Sequence, residues 1–296
     1  MISIEQVGIG ESHPPHLQTH WPAPMNARDW DERFPGILDG ILLVAGAANV
    51  IMQLALPPVG HGVAESKVES GALFKHPIKR ARTTFTYLAV ALMGTSEEKL
   101  AYRKAVNRSH AQVHSTPGAR VQYNAFSPAL QLWVAACLCW GIIDTYRRLR
   151  PSNRQMEEKF YLLAEPLATT LQVGPGMWPQ DLQAFDVYWA QGLERLQMDH
   201  TVRQFLTRLV DLKFLHPAIS KLLGPLNRFL TTGFLPPRLR GELGLQWNAC
   251  QQQQFETFLT VIGKVNALVP RIFRQLPVNL VMWDFRRRRR KNLPLV

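Results

Sequence analysis

The chain has 296 residues, 46% of them hydrophobic and 9% aromatic, which is enough apolar mass for a folded core and excludes a disordered polypeptide. Its 34 Lys and Arg against 22 Asp and Glu give a net charge of +12, and half of that excess is one run of six cations, Arg286 to Lys291. Cys137, Cys139 and Cys250 fit neither a disulfide framework nor a zinc ribbon, and no basic, apolar leader opens the sequence, so a cytoplasmic protein with no signal peptide or transmembrane helix is expected.

Residues 1–35 hold His13-Pro-Pro-His16, Trp21-Pro-Ala-Pro24 and Phe34-Pro35, and proline at that density predicts a Pro-rich N-terminal arm. The run Ile41 to Leu56 carries Asn49 and Gln53 and is too short to span a bilayer, so it predicts a buried core helix. Pro77 and Gly94 bracket the next helix, and Thr95-Ser-Glu-Glu98 is a capping box opening another that is expected to run to about Ser115. Ser127-Pro128 begins a helix that ends in Arg147, Arg148 and Arg150 before Pro151, with Ser152 and Gln155 opening the one after it. Further helices are predicted at about 179–197, 200–213, 217–231, 247–267 and 277–287. No stretch alternates with period two and no hairpin turn is evident. The expectation is an all-α fold, one multi-helix domain over 36–285, followed by a basic C-terminal tail over 286–296.

Two segments, Ile41 to Leu56 and Leu130 to Ile143, are apolar nearly all round, so each packs among other helices or against an apolar ligand. Between them, Arg80, Thr83, Thr84, Tyr87 and Ala91 recur at helical spacing and share one face, with Lys79, Arg82 and Thr86 projecting elsewhere. On the following helix Tyr102, Val106 and Val113 form an apolar stripe, and His110 lies within it. An inward histidine is either a hydrogen-bonded core residue or a metal ligand, neutral imidazole being the usual protein ligand of haem iron. His110 and His114 stand four apart, as zinc-binding pairs do, but Ala111 occupies the place of the HExxH general base. Gly60-His-Gly62 follows no strand, no GxSxG elbow occurs, and Cys137 and Cys139 sit in an apolar segment where a thiol stays protonated.

Five segments together carry a resemblance: Gln53-Leu-Ala-Leu-Pro-Pro-Val-Gly-His-Gly-Val-Ala-Glu-Ser66, His76-Pro-Ile-Lys-Arg-Ala-Arg-Thr-Thr-Phe-Thr-Tyr-Leu88, Val106-Asn-Arg-Ser-His110-Ala-Gln-Val113, Tyr123-Asn-Ala-Phe126 and Gln131-Leu-Trp-Val-Ala-Ala136. In this order they resemble the MpaB and rubber-oxygenase family, which includes latex-clearing protein, a haem b dioxygenase of polyisoprene. The resemblance implies a globin-like helical core around a haem pocket, with the iron held by His110. It also implies that Arg80 and Thr84 face the haem, with Thr83 where the family carries Lys or Arg; Tyr87, on the same helical face by its spacing, is placed with them in the cofactor-binding set. Glu65 is the nearest match to the family's acid/base glutamate. Leu56-Pro57 departs from the family's His-Pro pair. The activity implied is O2-dependent oxidation of an apolar, lipid-like substrate such as an isoprenoid or another alkene. The competing reading is a non-catalytic haem or lipid carrier of the same fold. The Arg-rich tail is expected to remain solvated or to touch an anionic membrane, with nucleic acid the less favoured partner.

Overall fold

A computed structural model describes residues 21–66, 68 and 73–296, and every regular element among them is helical. His13-Pro-Pro-His16 lies outside the described residues. In chain order the helices are α1 (Ala27–Arg33), a 3-10 turn (Gly40–Ala45), α2 (Gly46–Leu54), α3 (Pro57–Ala64), α4 (Pro77–Met93) and α5 (Ser96–His110). There follow α6 (Pro128–Leu149), α7 (Arg154–Ala164), α8 (Pro166–Thr169), α9 (Leu182–Glu194), α10 (His200–Val210) and α11 (Pro217–Phe234). The chain closes with α12 (Pro237–Glu242), α13 (Ala249–Leu268), α14 (Arg271–Arg274) and α15 (Leu276–Arg290). The all-α expectation holds.

Helix α6 organises the packing. Leu132, Ala135, Ala136, Cys139 and Ile143 face one core, shared with α4, α5, α7, α9 and α15. Trp133, Cys137 and Leu149 face a second core, shared with α2, α10, α11 and α13. A helix apolar on both sides has to be enclosed by other elements, and this one is. It is long and apolar enough to cross a bilayer, yet 72% of its most apolar stretch is buried inside the fold. Burial drives the Cys137 and Cys139 thiols up, so both stay protonated as expected.

Several boundaries differ from the sequence reading. Residues 21–35 are no arm: Asn26 and Asp29 form a capping box, and Trp30 and Phe34 are buried against Phe160. Two large aromatic rings outweigh the prolines around them. The run 41–56 is a 3-10 turn joined to α2, and the chain then bends by 108° into α3. The bend sits at Leu56, whose extended backbone is what a residue before proline adopts, while Pro57 starts α3 at a position where no N–H hydrogen bond is required. A side chain at Gly60 would meet the Leu54 carbonyl and Val202, so this turn of α3 lies directly against its neighbours. Helix α5 stops at His110, short of Ser115, because residues 113–125 fold back on themselves, with Ala125 N–H bonding the Val113 carbonyl. His114 is therefore off the helix and no zinc pair forms; no group of three His, Cys, Asp or Glu suited to a metal occurs among the described residues.

The basic segment is also not a free tail. Helix α15 continues through Arg290, burying Met282 and Phe285, while Arg286 pairs with Glu98, Arg288 with Asp284 and Arg289 with Glu97. Leu295 and Val296 pack onto the core. The first turn of α5 is negative where α15 is positive, and that complementarity holds the run in place.

One buried carboxylate ties the elements together. Asp39 Oδ2 accepts from Arg150 at 2.7 Å, Asn266 at 2.7 Å and Arg274 at 2.5 Å, joining the end of α6 to α13 and α14. Its side chain has no exposed surface. Replacing one partner of such a cluster leaves the others buried without a counter-charge. Asp39→Ala is expected to cost about 3 to 5 kcal/mol of folding free energy in equilibrium denaturant unfolding.

Candidate functional site

A cavity of about 270 Å³, open to solvent at its mouth, lies between α2, α3, α4, α5 and α6. The bend at Leu56 brings Pro58, Gly62 and Val63 to one wall, and Val134, Ala135 and Leu138 of α6 form another. That volume is near the lower end of the roughly 300 to 1000 Å³ of small-molecule pockets, and the open mouth extends it.

The structure brings Arg80, Thr83, Thr84, Tyr87 and His110 onto this cavity, with Lys79 beside them. Lys79 was expected to project elsewhere. Ala91, the last member of the same helical face, lies in the core instead. Two of the polar groups are committed internally: Thr83 donates to the Arg80 carbonyl at 2.9 Å, and Tyr87 donates to the Leu167 carbonyl at 2.5 Å. Burial pushes the Tyr87 phenol far above its ordinary range. Thr84 and Arg80 have no such commitment among the described residues. Arg80 is exposed by surface area, but the space it sees is the cavity, and enclosure there pulls its pKa down against the opposing effect of Tyr102.

His110 ends α5 with its ring edge-on to Phe126, and its Nδ1 is buried without a hydrogen-bond partner. Desolvation, with the Arg80 charge adding to it, lowers its pKa to about 4. The imidazole is therefore neutral at physiological pH, the form that coordinates metals. An orphaned polar atom and an unpaired cation in a largely apolar cavity fit a planar, carboxylate-bearing cofactor. A closed structural metal site needs several side-chain ligands, whereas a haem needs a single protein ligand.

Glu65 does not line the cavity. Its carboxylate accepts from His61 Nδ1 at 2.5 Å and from the Tyr123 hydroxyl at 3.4 Å, while His61 Nε2 meets Asp199 at 2.7 Å. Tyr123 does line the cavity, so the cluster stands just behind the wall. Sequence reasoning missed His61 and Tyr123 as partners of Glu65, and Asp199 as the second partner of His61. The i, i+4 spacing of His61 and Glu65 was the available signal; Asp199 is 138 residues away from His61 and gave none. A second network, Asn107, Gln172 and Gln131, joins α5 to α6 through amide pairs at 2.6 Å.

Against known proteins, residues 36–264 match the family model described as ER-bound oxygenase mpaB/B'/Rubber oxygenase, catalytic domain. Uncharacterised proteins of Mycobacterium bovis and Mycobacterium tuberculosis are each 47% identical over 251 residues, covering 84% of this chain and 98% of the relative. No solved structure matches.

Burial opposes the charged form of His61, but its bonds to Glu65 and Asp199 and their charges outweigh it, and the pKa rises above 6.5. A raised histidine contributes stability that is present below 6.5 and lost as pH rises through the raised value. His61→Gln is therefore expected to cost about 1 to 3 kcal/mol in mildly acid buffer, with the gap to the parent narrowing as pH rises. Denaturant unfolding across a pH series measures it; a gap that widens with pH contradicts the assignment.

Proposed function

Because the chain belongs to the family of the MpaB and rubber-oxygenase catalytic domain, we propose that it is a haem b-dependent oxygenase. His110 would hold the iron, and the substrate would be an apolar small molecule, isoprenoid or otherwise alkene-containing, oxidised with O2. The family is one of oxygenase catalytic domains. The observation that supports the finer reading is the neutral, unpartnered imidazole of His110 beside the unpaired Arg80 guanidinium in one largely apolar cavity.

When bound, a haem supplies the redox chemistry by which O2 reacts with a carbon–carbon double bond; the protein supplies ligation, polarity and access. His110 presents a neutral nitrogen donor without first having to lose a proton. Arg80, on α4 and without a carboxylate partner, would offer donors to a cofactor carboxylate or to negative charge developing during the reaction. The free Thr84 hydroxyl, one residue along the same face from Thr83, offers a second donor. Thr83 and Tyr87 act differently, because their hydroxyls are already spent on carbonyls and they shape the wall. Leu138, Val134 and Leu171 exclude water and accept an apolar chain. Glu65, held by His61 and Tyr123, stands behind the wall rather than at the reacting group.

The test is turnover of isoprenoid alkenes by protein purified with haem precursor supplied, under isotopically labelled O2, with products read by mass spectrometry. Labelled carbonyl or hydroxyl products are expected, and Arg80→Leu and Thr84→Val are each expected to lower the rate by about a hundredfold, the effect of losing one aligned donor. An alkene bound and returned unchanged would instead identify a carrier and overturn the oxygenase reading.

A further inference from the structure

Leu268, Ile272, Phe273, Leu276, Leu280 and Trp283 are between 46% and 85% exposed. The first four lie within nine residues, at the corner where α13 ends, α14 turns and α15 begins. Leu280 and Trp283 follow Leu276 at spacings of four and seven, so they extend the same face of α15, opposite the buried Met282 and Phe285. Exposed apolar groups collected in this way mark an interaction surface, whereas single ones do not.

Charge decides which partner fits. Residues 257–296 carry nine cations and one carboxylate, Asp284. Asp284, Glu97, Glu98 and Asp39 pair with five of the nine. Lys264, Arg271, Arg290 and Lys291 have no acidic partner among the described residues. At helical spacing Arg287 and Arg290 continue the line from Leu276 through Trp283, and the Arg287 guanidinium lies 5.8 Å from the Trp283 ring. The corner is fixed from behind, since Arg274 is tied to the buried Asp39.

We infer that this corner and the exposed face of α15 form a docking surface for an anionic lipid membrane. A bilayer of that kind offers an acyl region for the Leu, Ile and Phe side chains, an interfacial zone for Trp283 and acidic headgroups for the unpaired cations. A second copy of the chain would bring the same positive charge against this face and be repelled. A nucleic acid would answer the charge and leave the apolar side chains in water. The inference is independent of the oxygenase reading, because none of these residues reaches the cavity.

The experiment is co-sedimentation of the full chain with vesicles of phosphatidylcholine alone and of phosphatidylcholine mixed equally with phosphatidylglycerol, in low and high salt. Binding is expected only to the mixed vesicles and is expected to weaken with salt. Arg290→Gln with Lys291→Gln is expected to reduce partitioning by about thirtyfold. Ile272→Ser with Phe273→Ser is expected to abolish the salt-resistant part, and circular dichroism checks that both double variants fold. Absence of vesicle binding, or equal binding by the parent and both variants, would overturn the inference. So would a concentration-dependent dimer that Ile272→Ser with Phe273→Ser dissolves, or binding of duplex DNA in place of vesicles.

Discussion

Helix α6 buries residues on both of its sides, and the rest of the fold answers that one requirement. Leu132, Ala136 and Cys139 need one layer of helices, Trp133 and Cys137 need another, and α6 joins the two hydrophobic cores, as α9 does through Phe185 and Trp189. The cavity follows from the same arrangement. Near its N-terminal end α6 is covered by α2, α3 and α5 without being packed flush, because the chain turns sharply at Leu56 and α5 stops at His110. The space left over is lined by α6 on one side and by the polar face of α4 on the other.

That polar face gives the cavity its electrostatic character. A guanidinium without a carboxylate and an imidazole without a hydrogen-bond partner are costly to enclose; desolvation lowers the pKa of both, and the Arg80 charge lowers that of His110 further. Elsewhere several buried charges have partners within the chain: Asp39 Oδ2 has three donors, Glu98 has Arg286, and His61 has two carboxylates. Arg80 has no ion pair and His110 Nδ1 no hydrogen-bond partner within the described residues, and both line one cavity. A resident ligand that supplies an acceptor for one and a coordination site for the other would relieve both.

Much of this was legible from residue spacing. Arg80, Thr83, Thr84 and Tyr87 repeat at helical intervals, and a helix has only one way to place them, so their common wall could be read before any coordinates. The inward place of His110 followed from the stripe of Tyr102 and Val106 in the same manner. Long-range partners were not legible, because a pair such as His61 and Asp199 leaves no local trace. Proline misled at the N-terminus, where Trp30 and Phe34 decide the packing, and charge misled at the C-terminus, where the arginines belong to a helix facing the acidic first turn of α5. The 3-10 winding before Gly46 was hidden because Gly40 to Ala45 carries the apolar composition of a core helix.

The central claim is that His110 is the one protein ligand of a haem in this cavity, and the absorption spectrum of the protein titrated with haem tests it most directly. The parent is expected to give a Soret band at one equivalent, His110→Gly to lose it, and added imidazole, entering the space the side chain vacates, to restore it. A band that His110→Gly retains unchanged, or no band in the parent, would contradict the account.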